Sequence, residues 1–170
     1  MTVTLTLAGA AQEPVLQSMF QFYTHDFSEF WAGEHHGNLM PNGQFAPYPL
    51  GPYWATSNWS AHLIWNGGVL AGFALVNDQA HGTVAVDRSV AEFFVLRKHR
   101  GGRVGRRAAE LVFDLHAGSW EAAVARANTP ALAFWRRTIT GAGRASNLVE
   151  TDTQTDHWNG PILRFDWRLA

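Results

Sequence analysis

With 170 residues, 46% of them hydrophobic and 16% charged, the chain is long enough to bury a core, which excludes intrinsic disorder and predicts one domain over residues 1–170. A net charge of −1 provides no global field for nucleic acid, and the lack of cysteine removes disulfides and thiolate chemistry. The start of the chain lacks a signal-peptide layout and no apolar run approaches the ~20 residues of a membrane span, so a cytoplasmic protein with neither membrane nor nucleic-acid partner is expected.

Thr2 to Leu7 alternates threonine with valine or leucine, as a half-buried strand does. Glu13-Pro14 opens a helix, and Val15, Leu16, Met19, Phe20 and Tyr23 keep helical spacing to about Thr24. Asp26-Phe27-Ser28-Glu29 has capping-box spacing and predicts a second short helix through Trp31. Gly33 to Asn58 follows neither period and is rich in Gly, Pro, Asn and aromatics, so a long loop is expected. Ala61–Trp65 and Val69–Val76 flank Asn66-Gly67-Gly68 and form a hairpin signal, and Arg88 to Leu96 is the next strand.

A helix then follows with Val104, Ala108, Leu111, Val112 and Leu115 on one face. Arg106, Arg107, Glu110 and Asp114 occupy the other, with Arg106 and Glu110 at pairing distance, and Gly118 ends the pattern. Trp120–Ala125 is a short strand. Thr129-Pro130 caps a helix that buries Leu132, Trp135 and Ile139 and ends near Gly141. Arg144–Thr151 and Ile162–Leu169 read as an antiparallel pair, with Leu163, Phe165 and Trp167 alternating with Arg164, Asp166 and Arg168. The order β-α-α-β-β-β-α-β-α-β-β is an antiparallel meander followed by a β-α-β unit, which is an α+β (mixed α/β) arrangement.

Between the strand ending at Leu96 and its helix lies Arg97-Lys98-His99-Arg100-Gly101-Gly102-Arg103-Val104-Gly105-Arg106. Bare amides at a helix start, absent side chains and five cationic ones together suit an anion such as a pyrophosphate. The plainer reading is a connecting loop that needs glycine only for its geometry. No Gly-Lys-Ser/Thr follows, which argues against a Walker P-loop, and the preceding hairpin argues against a dinucleotide fold. Six of the twelve arginines lie between Arg88 and Arg107, and a local basic patch in a neutral chain fits a small anionic ligand.

The stretch Glu92 to Gly105 resembles the acetyl-CoA signature of the GNAT N-acetyltransferases, a strand followed by Arg/Gln-x-x-Gly-x-Gly/Ala at a helix start. Asn128-Thr129-Pro130-Ala131-Leu132-Ala133-Phe134-Trp135 is similar to that family's Asn-x-x-Ala-x-x-apolar-Tyr segment, and the element order matches over about residues 3 to 168. Asp26 to Phe30 with the two signatures also resembles a bacterial branch of predicted acetyltransferases. The resemblance implies a GNAT-like, mostly antiparallel sheet of about seven strands with about four helices and a splayed fourth and fifth strand. It implies acetyl transfer from acetyl-CoA, with no metal, to a small-molecule or peptide amine that attacks the thioester directly. Homodimerisation through an exposed C-terminal strand edge is a further possibility of the family.

By the same resemblance, pantetheine lies between the splayed strands and pairs with the backbone of Phe93 and Val95, beside Phe94. The amides of Arg100, Gly101, Gly102, Arg103, Val104, Gly105 and Arg106 take the pyrophosphate, and Asn128 meets the pantetheine arm. Glu92 stands where some members carry the catalytic glutamate and is the candidate general base; alternatively it is a strand carboxylate that pairs with Arg97 or is solvated. Two positions depart from the pattern. Arg103 replaces the glycine at the fourth signature position. Trp135 stands where many members have a tyrosine acid; an indole donates a hydrogen bond but is no acid at neutral pH, so it is either core packing or a cofactor contact.

Arg103, Arg106 and Arg107 either meet the adenosine phosphates or form a solvated helix face. Glu34-His35-His36 lacks third and fourth ligands at suitable spacing, and no metal site is expected. His25 or His36, and the aromatics Phe45, Tyr48, Tyr53 and Trp54, are candidate walls for an acceptor site, although packing of a long loop explains the aromatics more economically. A coenzyme-binding module with little catalysis and a cofactor-free partner-binding domain are the competing readings.

Overall fold

Two periods written into the chain, one of two residues and one near 3.6, sort its apolar side chains onto the two faces of one sheet. The computed structural model describes residues 2–31 and 37–169. Its strands are β1 (Val3–Ala8), β2 (Ser60–Asn66), β3 (Val69–Asn77), β4 (Arg88–Val95), β5 (Gly118–Ala123), β6 (Ala145–Gln154) and β7 (Asn159–Trp167). The helices are α1 (Glu13–Ser28), α2 (Gly51–Ala55), α3 (Val104–Phe113) and α4 (Thr129–Gly141). The strands form one seven-stranded sheet ordered β1-β2-β3-β4-β5-β7-β6. All neighbours are antiparallel except β4 and β5, as expected of this α+β arrangement. Among the described residues no helix is long and apolar enough to cross a membrane.

Strand β3 shows how the faces divide. Phe73 and Leu75 point to one side and pack with Leu16, Met19 and Phe20 of α1 and with Tyr53 of α2. Ala74 and Val76 point to the other side, under Val112 and Phe113 of α3 and Trp135 and Ile139 of α4. Thirteen to sixteen residues in α4 and α1 give each enough apolar surface to be held by packing rather than by propensity.

Several local expectations change. The helix expected to stop near Thr24 runs on to Ser28, and Glu29–Trp31 follows as a 3-10 turn. Asp26 does not cap a new helix because its carboxylate is held by Arg97 and Arg100 instead. The expected loop contains α2, whose first turn includes Pro52 and which is flanked by buried Leu50. Asn128, not Thr129, caps α4, its Oδ1 accepting from the Ala131 N–H at 3.2 Å. Finally, α3 ends at Phe113, which is fully buried, and leaves Leu115 beyond the helix at 47% exposure.

The feature that shapes the molecule is the parting of β4 and β5. They pair only at Arg88–Trp120, Ser89–Glu121 and Val90–Ala122. Beyond Val90 each strand stays with its antiparallel partner. Leu75 pairs with Glu92 and Val76 with Val90, which leaves Ala91 as an extra residue in β4. On the far side, the Val124 N–H donates to the Pro161 carbonyl and the Arg126 N–H to the Asn159 carbonyl, so the chain after β5 follows β7. Bulges bend a strand and raise its twist, and this one lies where the pair opens.

The close contact of β3 with β4 depends on Gly72. A Cβ there would stand 2.0 Å from the Phe94 carbonyl oxygen. Gly72→Ala is expected to lower stability in urea denaturation by about 1–3 kcal/mol, the usual cost of overpacking; an unchanged midpoint would contradict that contact.

Candidate functional site

Peptide groups alternate in direction along a strand, and in β4 the alternation is set by β3. The Phe94 carbonyl points toward Gly72, and the Leu96 N–H donates to the Ala71 carbonyl at 2.8 Å. Phe93 and Val95 therefore turn their N–H and C=O groups the other way, into the gap left by β5. The Val95 carbonyl is taken there by Arg100 Nε at 2.6 Å. The remaining groups form an unpaired strand edge, ready for an extended ligand with amide groups of its own.

This edge forms one wall of a cleft of about 750 Å³. Phe93, Phe94, Val95, Arg100, Gly101, Gly102, Gly105, Arg106, Asn128 and Trp135 all line it. Arg103 and Val104 do not. The Arg103 side chain is exposed at the N-cap of α3, and Val104 is buried against Ile64, Ala71 and Val95. Each can offer the cleft only its backbone.

Beyond β4, Arg97–His99 makes a 3-10 turn, and Gly101 adopts φ +78°, a conformation that favours glycine. Arg103 sits at φ −83°, which any residue adopts, so replacing the signature glycine there carries no backbone strain. No side chain caps α3, and the Arg107 N–H is the one that reaches back to the Arg103 carbonyl. The N–H groups of Val104, Gly105 and Arg106 thus lack helical partners and carry the positive end of the helix dipole. A Cβ on Gly105 would lie 3.3 Å from the Phe134 ring, so glycine at this position lets α4 close against the turn.

Most of the cations in this turn serve as braces. Arg97 Nε and an Arg100 guanidinium N–H donate to the two oxygens of Asp26 at 2.9 and 2.6 Å, tying the turn to α1. Arg106 donates to Glu110 at 2.9 Å and to the Gly141 carbonyl at the end of α4 at 2.6 Å, and Arg107 lies 3.5 Å from Glu110. Arg137 of α4, which carries no signal in the sequence patterns, lines the cleft without an ion-pair partner among the described residues.

Glu92 lies beside the bulge, in the wall of a second chamber next to the cleft. Its partner is not Arg97 but the Tyr23 hydroxyl of α1, which donates to Glu92 Oε2. Burial pushes Glu92 up to about 7, while the hydroxyls of Tyr23 and Tyr48 and the nearby His81 pull it back down. Burial and the neighbouring Glu92 raise Tyr23 well above the ordinary tyrosine range, so Tyr23 stays protonated and acts as a donor. Tyr48 stacks on Phe20 at 4.2 Å, and its backbone is bonded on both sides by Gln17, so the aromatic loop braces α1. Phe45, Tyr48, Tyr53 and Trp54 line neither cavity among the described residues, and the His25 side chain is 75% exposed.

A second chamber of about 280 Å³ adjoins the cleft and has Glu92 in its wall. Tyr23, Phe93, Asn128 and Trp135 line both spaces. Trp135 is 6% exposed and meets Phe93 edge-on at 5.2 Å, so it is core packing and cavity wall at once. The Asn128 NH2 has no partner among the described residues, since only its oxygen is used in the cap. Glu34, His35 and His36 lie outside the described residues; within those residues no three metal-ligating side chains cluster. Tyr23, Asp26 and Arg137 are the site residues that sequence reasoning misses, and Tyr48, expected in an acceptor wall, instead packs on Phe20 near Glu92. Tyr23 and Asp26 find their partners about seventy positions away, and no local pattern signals such a bond.

The model of the Acetyltransferase (GNAT) family matches residues 16–139. No curated protein sequence matches the chain. Among solved structures, an acetyltransferase from Thermus thermophilus is 16% identical and superposes with a TM-score of 0.66, over 97% of this chain and 96% of that one. yncA from Salmonella typhimurium, solved with its cofactor acetyl-CoA, is 11% identical with a TM-score of 0.56, over 100% and 95% of the two chains. The paiA N-acetyltransferase of Thermoplasma acidophilum, solved with coenzyme A, is 10% identical with a TM-score of 0.59, over 98% and 100%.

The bond from Tyr23 lowers the pKa of Glu92, so Tyr23→Phe is expected to move the Glu92 titration to higher pH. Carboxyl carbon shifts followed by NMR across pH measure this directly; an unmoved or lowered midpoint would contradict the donor role of Tyr23.

Proposed function

The chain belongs to the GNAT acetyltransferase family, and from that premise we propose that it moves an acetyl group from acetyl-CoA to a primary amine, which attacks the thioester while both substrates are bound. The observation that carries this reading is that an unpaired β4 edge and an uncapped helix start border one cleft, while the Glu92 carboxylate, held near neutrality, lines the chamber that adjoins it.

These residues suit coenzyme A part by part. The N–H and C=O of Phe93 and the N–H of Val95 match the amides of a pantetheine arm, and the free Asn128 NH2 faces the same arm. The N–H groups of Val104, Gly105 and Arg106 suit a pyrophosphate, with Arg137 as the uncommitted cation beside them. Arg100 and Arg106 add positive potential while already bonded to Asp26 and Glu110. Acetyl-CoA supplies the electrophile, a thioester carbonyl.

Glu92 performs the proton step. An amine arrives as ammonium and cannot attack until the N–H bond breaks and its electron pair is freed. The carboxylate of Glu92 takes that proton onto an oxygen, and Tyr23, still protonated, holds the carboxylate in place throughout. With its pKa near 7, Glu92 is ionised in a large share of molecules at neutral pH yet basic enough to take the proton. The carbon–nitrogen bond forms and the carbon–sulfur bond breaks, coenzyme A leaves as a thiolate, and the surplus proton on the new amide nitrogen passes to that thiolate or to water. Trp135 can steady the leaving sulfur with an indole N–H but cannot protonate it. This departure favours the second reading, an acyl-CoA-binding module of the same fold with little catalysis.

One experiment separates the readings. Acetyl-CoA at a hundred times its dissociation constant should stabilise the protein by about 2.7 kcal/mol, and Gly105→Glu should abolish this by setting bulk and negative charge against the pyrophosphate. Thiol release with an amine should then rise with pH through about 7, since the carboxylate is the active form. Glu92→Gln should cost roughly a hundredfold or more and flatten that rise. Absence of stabilisation at millimolar acetyl-CoA would overturn the coenzyme site. Full activity in Glu92→Gln would overturn the base, and stabilisation without thiol release would establish the binding module.

A further inference from the structure

The inner chamber has a composition of its own. Phe27, Phe93, Trp135 and Trp158 surround it with rings, while Ala91, Ala123 and Ala125 leave about 280 Å³ of space between them. Its chemistry is set by charge as much as by shape. Glu92 is the one acidic side chain among its described lining residues. Glu121 lies close by but is 1% exposed and already committed: its Oε1 accepts from the His81 N–H at 2.7 Å and from His81 Nδ1 at 2.9 Å. The His81 ring, held by these contacts, lines the chamber.

No lysine or arginine appears among the described lining residues of this space. Arg126, next in the chain to the lining residue Ala125, is bound to Asn159 and Asp152. An ammonium entering the chamber therefore meets the Glu92 carboxylate within walls made largely of aromatic rings and alanines. A carboxylate entering it would lose its water and find no lysine or arginine among the described lining residues to replace it.

Resting on the acetyl-transfer reading, we propose that the inner chamber seats the acceptor, and that the acceptor is a small primary amine on an aromatic or apolar body without a carboxylate. Glu92 receives the ammonium, and the rings of Phe27 and Trp158 hold the body. His81, fixed by Glu121 and set edge-on to Trp158 at 4.5 Å, closes the wall beside Trp158. A polyamine fits less well, since the chamber's described lining residues offer its second charge no further carboxylate.

Matched acceptor pairs test this, with thiol release from acetyl-CoA as the readout: tryptamine against tryptophan, phenethylamine against phenylalanine, and spermidine beside them. The carboxylate-free member of each pair should show a kcat/KM at least tenfold higher, and both amines should exceed spermidine. Equal or faster turnover of the amino acids, or a preference for spermidine, would overturn the proposal and leave acetyl transfer standing. Ala125→Leu, which fills the chamber, should raise the amine KM at least tenfold while the stabilisation by acetyl-CoA persists; an unchanged KM would remove the acceptor from this chamber. If no amine turns over, calorimetric titration of tryptamine into the coenzyme A-loaded protein decides, and absence of binding at millimolar amine overturns the assignment. Loss of acetyl-CoA stabilisation in the unmodified protein would strike the acetyl-transfer reading itself.

Discussion

The site depends on a competition between strand partners. A parallel pair offers evenly spaced but slanted hydrogen bonds, and each antiparallel neighbour offers somewhat more stable pairing. After Val90, β4 follows β3 and the chain beyond β5 follows β7, so the parallel pair in the middle of the sheet is given up. Its loss leaves a row of peptide groups facing no strand, in the interior of the molecule rather than at its rim. Unpaired backbone groups at such a place are costly unless water or a ligand meets them. The bulge at Ala91 and the glycine at position 72, which lets β3 approach closely, both hold the sheet in this parted state.

Electrostatics around the gap follow from how the charges are spent. The basic turn is conspicuous in the sequence, yet Arg97, Arg100 and Arg106 are bonded to Asp26, Glu110 and backbone carbonyls. Their guanidinium groups fasten the turn to α1 and to the end of α4, which fixes the direction of the bare α3 amides. Glu92 is the reverse case. Among the described residues it has no arginine or lysine partner, only the Tyr23 hydroxyl as donor, so burial dominates and its pKa rises rather than falls. Had Arg97 paired with it, the carboxylate would have been held ionised and been a poorer proton acceptor.

Patterns confined to a dozen residues are legible in the amino-acid order itself. The hairpin around Asn66-Gly67-Gly68, the strand into the glycine turn, and the alternation of Leu163, Phe165 and Trp167 all report local geometry, and each lies where expected. Other expectations fail because a distant partner overrides a local signal. Asp26 has cap spacing but serves Arg97 and Arg100; Tyr23 keeps core spacing but also holds Glu92; Tyr48 lies in an irregular loop and packs on Phe20 near the same carboxylate. Arg103 is a departure from the family pattern that the fold accommodates, because its backbone needs no glycine there. The inner chamber is not legible in the sequence at all, since its walls come from α1, β4, β5, α4 and the β6–β7 hairpin at once.

The parted strands can be examined most directly by amide hydrogen exchange at Phe93 and Val95, with Phe94 as the internal reference. In the free protein the first two amides should exchange at least tenfold faster than that of Phe94, whose peptide group is directed to β3. Saturating acetyl-CoA should slow Phe93 and Val95 and leave Phe94 unchanged. Equal protection of all three in the free protein, or no slowing of Phe93 and Val95 on saturation, would contradict the central claim that the gap between β4 and β5 is where the coenzyme is held.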